Sequence, residues 1–252
     1  MTPSLFRLIW VVFFIMVGRA TATEALLAEL EKANQLYEAE QYEAAIEHYQ
    51  AIIAQGIENP LVYYNLGNAF FKSNQLGNAI LSYERARRLA PRDEDILVNL
   101  EFTRAQIVDR VELPDEGFLI NSYHFLLTRF TVNEVLRVGY VIYLLLILNM
   151  ALWILVRRFR RWLVYPLVLF FVLTLMVGGF CYLKIQHDQV PTAVVMVTQT
   201  NVMTGPGENL QVAFKVHEGT ILSILETRGE WVEVVLAGKL RGWVKKETLV
   251  EV

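Results

Sequence analysis

The chain has 252 residues, of which 54% are apolar and 19% are charged, and its formal net charge is −3. An average soluble protein is about 45–50% apolar and about 25% charged, so part of this chain is expected to leave water, while the small net charge argues against nucleic-acid binding. The single cysteine, Cys181, excludes an internal disulfide and a multi-cysteine metal site.

The first 22 residues have the pattern of a secretory signal peptide. Arg7 gives a modest positive start, residues 8–18 carry no charge, and Ala20-Thr21-Ala22 supplies the small residues that a signal peptidase requires. A helix of about 11 residues rises only about 16 Å, too short for a hydrocarbon core of about 30 Å. The sequence therefore favours a cleaved signal at residues 1–22 over an uncleaved anchor, and predicts that the next domain is exported.

Residues 23–113 contain a repeat with a period of 34 residues. Three identical pairs stand at this distance: Ala45 and Ala79, Ile46 and Ile80, Tyr49 and Tyr83. A period of 34 built from paired helices is typical of tetratricopeptide repeats. The second repeat resembles that family at Tyr63, Leu66, Gly67, Phe70, Ala79, Tyr83, Ala86 and Pro91, whereas the first has Glu29, Lys32 and Ala33 at the usual aromatic, Leu and Gly positions.

A third amphipathic helix is expected to close the repeats, because apolar side chains follow at helical spacing. They are Ile96, Leu100, Thr103, Ile107 and Val111. Two repeats and a closing helix are near the lower size limit of a stable solenoid, so a partner or self-association is predicted.

The resemblance implies that the concave face of the repeats binds protein segments. The positions that it assigns to this groove are Leu27, Leu30, Asn34, Tyr37, Leu61, Tyr64, Asn68, Phe71 and Lys72. Asn34 and Asn65 match a carboxylate-binding pattern of the family, but Leu30, Asp95 and Asn99 stand where cations are needed. Residues 24–112 carry 15 acidic and 8 basic side chains, a net charge of −7. This favours a basic or apolar partner segment; a solvated acidic surface is the alternative.

Two long uncharged runs follow a short apolar junction. The junction, residues 114–134, is expected to lie on the outer leaflet as an amphipathic segment, or alternatively to dock against the repeats. The uncharged runs are residues 138–156 and 162–183, and the predicted membrane helices, residues 135–156 and 162–183, are long enough to span a membrane. Between them, residues 157–161 hold four arginines, and cationic short loops stay in the cytoplasm. The sequence thus predicts a membrane hairpin with both flanking domains outside the cytoplasm; in a two-membrane bacterium this is a hairpin in the inner membrane with both domains in the periplasm.

After Lys184 the pattern changes to short β-branched runs separated by glycines, typical of strands. Five or so strands in residues 190–252 predict a small all-β barrel. The region resembles the bacterial SH3-like domain at Asn201-Val202, Gly205-Pro206, Glu218-Gly219-Thr220, Trp231 to Val234 and Gly242-Trp243-Val244. Met203 replaces the arginine that commonly follows the Asn-Val pair. Trp231 and Trp243 are most simply core or rim aromatics; the alternative is a shallow groove for peptide or cell-wall glycan.

The order of these parts resembles the BatE-type proteins of aerotolerance operons. That resemblance implies a scaffold in an envelope complex, beside a MoxR-type ATPase and membrane proteins with von Willebrand factor A domains, linked to stress or oxygen tolerance. The four histidines are scattered and there is no phosphate-binding glycine loop. We therefore expect no enzymatic activity, no cofactor and no metal. A peptidoglycan sensor that acts through the SH3-like domain is the alternative function.

Overall fold

The computed structural model describes residues 26–109 and 117–252. They form two compact units, one built mainly from the repeats and one from residues 90–93 and 109–252. The predicted signal peptide at residues 1–22 lies outside the described residues, as do residues 110–116.

Five helices make up the repeat region, and each packs on the next along the chain. They are α1 (26–38), α2 (Tyr42–Ala54), α3 (Pro60–Lys72), α4 (Leu76–Leu89) and α5 (Glu94–Arg104). α3 begins where the Asn59 side chain accepts a hydrogen bond from the Leu61 amide at 2.8 Å, with Pro60 in the first helical position. The stripe predicted for the closing helix is buried at Ile96, Leu100, Thr103 and Ile107; Val111 is not among the described residues.

The two repeat turns are alike in backbone geometry, although their sequences differ. Glu40 and Asn74, 34 residues apart, both have φ of 59°. In each turn the amide three residues past the helix end bonds back across the last turn, Gln41 to the Leu36 carbonyl and Gln75 to the Phe70 carbonyl, both at 2.9 Å. This is a Schellman ending, which places one residue in the left-handed region. Asn tolerates that region better than Glu.

Three helices follow in the second unit: α6 (Phe118–Arg129), α7 (Val132–Leu155) and α8 (Arg160–Asp188). A capping box starts α7, because the Thr131 side chain accepts from the Glu134 amide and the Glu134 carboxylate accepts from the Thr131 amide. α7 and α8 are longer than the uncharged runs at 138–156 and 162–183. α7 begins earlier than its uncharged run, at the capping box, and α8 includes Arg160 and Arg161 at its start. The predicted loop at residues 157–161 is thus reduced to a 3-10 turn, Arg157–Phe159.

α7 and α8 pack along one seam. Their less exposed residues recur at alternating steps of three and four: Val135, Gly139, Ile142, Leu146, Asn149 and Trp153 on α7, and Leu163, Pro166, Phe170, Leu173, Val177, Phe180 and Lys184 on α8. Such spacing is typical of antiparallel helices that pack with a left-handed crossing. A Cβ built on Gly139 would lie 3.2 Å from Val177 Cγ1, which shows how closely the helices approach there. The other faces of both helices are apolar and exposed.

Seven antiparallel strands end the chain, where the sequence predicted five or so. They are β1 (Thr192–Val195), β2 (Gln199–Met203), β3 (Val212–His217), β4 (Ile221–Arg228), β5 (Trp231–Leu236), β6 (Leu240–Lys245) and β7 (Leu249–Glu251), in the order β3-β2-β6-β5-β4-β1-β7. The two additional strands are β2, whose polar Gln199, Thr200 and Asn201 gave no β-branched pattern, and β7, which a 3-10 turn, Lys246–Thr248, separates from β6. The core residues include Val202, Val234 and Val244.

The turn between β3 and β4 receives a carboxylate from a distant part of the second unit. Asp109 accepts hydrogen bonds from the His217 amide at 2.7 Å, from His217 Nδ1 at 2.8 Å and from Thr220 Oγ1 at 2.7 Å. Burial raises the pKa of Asp109, but these hydrogen bonds outweigh it and leave the pKa lowered. The carboxylate is therefore charged, and it holds residue 109 at the edge of the sheet.

The difference between the two repeat turns predicts the effect of exchanging their residues. Glu40→Asn should raise the free energy of unfolding of the repeats by roughly 0.5 kcal/mol, because Asn has a lower cost in the left-handed region. Hydrogen–deuterium exchange of the full chain, read on peptides that cover residues 30–54, measures this as slower exchange. The reciprocal change Asn74→Glu is the matched control and should speed exchange in residues 60–89. Equal rates for both variants and the parent would contradict the argument.

Candidate binding surfaces of the repeats and the sheet

The groove positions predicted from the sequence lie on α1 and α3. Leu27 and Leu61, at equivalent places, are 58% and 53% exposed. Lys72 is exposed as well, and the remaining positions are half-buried. They are Leu30, Asn34, Tyr37, Tyr64, Asn68 and Phe71. The groove thus offers apolar side chains at its surface and polar side chains that are partly covered.

Two sets of hydrogen bonds, 34 residues apart, line this groove. In the first amide–phenol set, Asn34 Oδ1 accepts from the Tyr49 hydroxyl at 2.7 Å and from Asn65 Nδ2 at 3.1 Å. In the second amide–phenol set, Asn68 Oδ1 accepts from the Tyr83 hydroxyl at 2.7 Å and from Asn99 Nδ2 at 2.9 Å. Each set joins three successive helices, so the same atoms that hold the stack together also define the floor of the groove.

The phenols of the two sets remain proton donors at any physiological pH. Burial raises the pKa of Tyr49 to about 12 and also raises the pKa of Tyr83. Since a phenol donates and the amide nitrogen of the next asparagine also donates, Asn34 and Asn68 must accept with their oxygen atoms. Their Nδ2 groups have no hydrogen-bond partner within residues 26–109 and 117–252, and are the donors that remain for a bound segment.

Aromatic rings extend the groove beyond the predicted positions. The ring of Phe71 lies 5.7 Å from that of Phe102 on α5, and Phe102 is exposed. Asn99 also donates to the Tyr64 hydroxyl at 3.0 Å. The sequence identified Asn99 only as a missing cation and gave no indication of Phe102. The 34-residue spacing between Asn65 and Asn99 was the signal that could have identified the polar set.

A buried carboxylate fixes α5 against α4. Glu84 is 3% exposed and accepts from Arg87 Nε at 2.9 Å and Nη2 at 2.8 Å, and it also forms an ion pair with Arg104 of α5. Two guanidinium groups on one carboxylate compensate its desolvation. The closing helix, and with it Asn99 and Phe102, is therefore held in a fixed position relative to the second repeat.

On the sheet, the two predicted tryptophans have different surroundings. Trp243 is 6% exposed, and the Arg228 guanidinium lies 5.1 Å from its ring centroid. Its cross-strand neighbour Glu233 accepts a bidentate pair from Arg241 at 2.7 and 2.9 Å. Trp231 is half-buried. Paired charges thus cover Trp243, and its ring is not presented to solvent as an open binding platform.

A cleft of about 840 Å³ lies elsewhere on the sheet. Its apolar lining consists of Ile224, Val232, Leu249 and Val250, and its charged lining consists of Glu230, Lys245, Lys246, Glu247 and Glu251. Neither Trp231 nor Trp243 lines it. The cleft has the size of a small-molecule or short-peptide site, and its mixed charges suit a zwitterionic ligand.

The histidines of the described ranges lie in pairs and not in larger clusters of metal-ligating residues. No group of three or more His, Cys, Asp or Glu side chains there is placed to hold a metal ion. His48 pairs with Glu29 at 2.5 Å and His217 with Asp109 at 2.8 Å, and the rings of His124 and His187 lie 6.2 Å apart.

Three family models match parts of the chain. Residues 33–74 match a TPR repeat, residues 60–93 match a tetratricopeptide repeat, and residues 196–251 match a bacterial SH3 domain. No curated protein is significantly similar to the chain. The matches confirm the predicted repeats and the predicted SH3-like domain, both of which are typically binding modules without catalytic activity.

The second amide–phenol set predicts a specific loss on removing one hydroxyl. Tyr83→Phe should lower the free energy of unfolding of the repeats by about 1 kcal/mol, since a partly buried neutral hydrogen bond contributes about 0.5–1.5 kcal/mol. The measurement is hydrogen–deuterium exchange of the full chain over α3 and α4. Tyr63→Phe is the matched control, because Tyr63 is buried but bonds to no other described residue through its hydroxyl. A Tyr63→Phe effect as large as that of Tyr83→Phe would show that the hydrogen bond is not the cause.

Proposed function

We propose that this protein is a membrane-anchored adaptor of the bacterial periplasm, and that its repeat groove binds an extended segment of a protein partner. The observation that carries the proposal is the pair of amide–phenol sets, each with an Asn Nδ2 group left for a ligand. Tetratricopeptide repeats serve protein–protein interaction, which supports the same conclusion.

The chemistry of the groove selects the kind of segment. Peptide carbonyls of an extended chain are acceptors at regular spacing, and Asn34 and Asn68 are donors at equivalent places in successive repeats. Leu27, Leu61 and Phe102 are exposed beside them and would be covered by apolar side chains of the partner. Because residues 24–112 have a net charge of −7, flanking basic residues in the partner would speed association.

Membrane insertion accounts for the exposed apolar faces of α7 and α8. The two helices have 24 and 29 residues and are long and apolar enough to cross a membrane, with lengths of about 36 and about 44 Å against a core of about 30 Å. In this proposal α6 lies on the outer leaflet, because Phe118, Leu119 and Phe125 are exposed along it.

The arginines of the turn determine the proposed orientation. Each costs on the order of 2.5–3.5 kcal/mol to place at the centre of a membrane helix, so residues 157–161 remain in the cytoplasm. Both ends of the hairpin then lie in the periplasm, together with the repeats and the SH3-like domain. A bacterial SH3 domain is expected in an extracellular or periplasmic location, which agrees with this orientation.

The partner class follows from the resemblance to BatE-type proteins. We propose membrane proteins with von Willebrand factor A domains as partners, in a complex that also depends on a MoxR-type ATPase and contributes to stress or oxygen tolerance. The function of this chain there is that of a scaffold, since two binding modules are fixed to one hairpin. Self-association of the short repeat domain is part of the same proposal.

A second function, cell-wall binding, is supported by the cleft on the sheet. Bacterial SH3 domains suggest such a role. Stem peptides of peptidoglycan carry both carboxylates and amines, and the cleft presents Lys246 together with Glu230 and Glu247 around an apolar lining. In this alternative the repeats are a spacer and the SH3-like domain is the sensor.

Site-specific crosslinking in cells tests the groove. A photoreactive phenylalanine analogue at Phe71 should crosslink a discrete protein, whereas the same analogue at Gln50, exposed on the opposite helix layer, should not. Asn68→Ala should reduce the Phe71 crosslink several-fold, because one donor is lost. The same products from both positions would contradict the groove. Retention of the full chain on purified sacculi, abolished by Leu249→Glu, would favour the cell-wall function instead.

Reporter fusions test the orientation. Alkaline phosphatase, whose disulfides form only after export, should be active when fused after Val252 and inactive when inserted after Phe159. The reason is the cost of carrying four arginines through the membrane. A cytoplasmic reporter such as green fluorescent protein at the same two places is the control and should give the opposite pattern. Activity at Phe159 with silence after Val252 would reverse the proposed topology.

A further inference from the structure

The turn that joins α7 and α8 concentrates positive charge that the two helices do not neutralise. Arg157, Arg158, Arg160 and Arg161 stand within five residues, and residues 135–187 contain no Asp or Glu. The nearest acidic residues in the sequence, Glu134 and Asp188, are at the opposite ends of the two helices. Four guanidinium groups therefore share one end of the hairpin without a carboxylate.

One of the four arginines has a structural role. Arg160 Nε donates to the Trp153 carbonyl at 3.1 Å, and its guanidinium lies 4.7 Å from the Trp153 ring. It thereby satisfies a carbonyl in the last turn of α7 and interacts favourably with the negative end of that helix dipole. Arg160 is thus fixed to the hairpin and is not the main candidate for an external ligand.

The other three arginines are exposed and available. Arg157 and Arg158 have no hydrogen-bond or ion-pair partner among the described residues. The guanidinium of Arg161 lies 5.8 Å from the ring centroid of Trp162, a weak cation–π contact, and has no carboxylate partner among the described residues either. α8 follows directly on the 3-10 turn, whose last hydrogen bond runs from the Arg160 amide to the Arg157 carbonyl, so these three guanidinium groups are the donors that the turn presents to a ligand. Guanidinium groups without a carboxylate partner favour a phosphate group.

We infer that this turn binds the headgroup phosphate of an anionic phospholipid in the adjacent leaflet. The exposed side chains of Leu155, Phe159 and Trp162 surround the three arginines. They would sit among the acyl chains and the interface, as aromatic residues do at membrane surfaces, while the arginines reach the phosphate level. A lipid satisfies the apolar and the cationic surfaces together, whereas a soluble phosphate satisfies only the second.

Native mass spectrometry of the full chain tests the inference, which rests on the proposed membrane insertion. The protein is released from mixed micelles that contain equal amounts of phosphatidylglycerol and phosphatidylethanolamine with the same acyl chains. We expect at least a tenfold preference for phosphatidylglycerol adducts, which corresponds to about 1.4 kcal/mol. The preference should weaken as salt is raised, because exposed charges are screened.

Matched variants assign the preference to the turn. The triple variant Arg157→Gln, Arg158→Gln, Arg161→Gln should bind both lipids equally, since Arg160 is retained to hold α7. Removing three exposed lysines elsewhere, in Lys32→Gln, Lys215→Gln, Lys239→Gln, deletes the same charge and should leave the preference intact. Should the triple glutamine variant not fold, the same three changes to Lys give the test, and should keep a reduced preference.

Three outcomes would overturn the inference. They are an equal affinity of the parent for both lipids, an unchanged preference in the triple variant, and displacement of the lipid by inorganic phosphate at the same concentration as the lipid. Carbonate extraction of each variant separates this from the failure of membrane insertion. A variant that stays in the washed membranes but loses the preference supports the lipid site, whereas a parent chain that is extracted contradicts both insertion and the lipid site.

Discussion

The contact between Gly67 and Tyr83 sets the geometry on which the groove depends. A Cβ at Gly67 would lie 2.6 Å from Tyr83 Cε1, so only glycine lets α3 and α4 approach this closely. The approach buries the ring and carries the hydroxyl to Asn68 Oδ1 at 2.7 Å. Packing of an aromatic ring on a small residue thus positions the polar atom that orients the groove amide. The burial of the Tyr83 ring and the orientation of the Asn68 amide are therefore consequences of the same contact.

The repeats and the hairpin differ in how much of their apolar surface is buried. In the repeats each helix contacts its neighbours along the chain, and large side chains such as Tyr49, Ile52 and Ile80 are almost completely buried. Within the described part of the chain, each helix of the hairpin has one long neighbour and one seam, and its remaining apolar faces are exposed. Large exposed apolar faces mark surfaces that contact a partner or a membrane, and both helices are long and apolar enough to cross a membrane.

Periodicity in the sequence predicted the features that depend on spacing and missed those that depend on contacts between distant residues. The 34-residue period predicted the repeats, and two uncharged runs predicted the long helices. The period also marks the turns at Glu40 and Asn74, yet Glu40 is a poor left-handed residue and gave no turn signal. The cover of Trp243 by Arg228 could not be predicted, because the register of β4 and β5 includes an irregularity between Ile224 and Glu226. Strands of three to five residues, such as β7, carry too few positions to show alternation.

The net charge of −3 conceals a separation of charge along the chain. The repeats carry a net charge of −7 in residues 24–112, while the turn at residues 157–161 carries four arginines and no acid. Free cations close to the repeats would pair with their carboxylates, and free carboxylates close to the turn would pair with its arginines. In the proposed topology the membrane lies between the two, and its hydrocarbon core of about 30 Å exceeds the screening distance of about 8 Å at physiological salt. In that proposed topology each charged surface would remain available for an external partner, and the two would not neutralise each other.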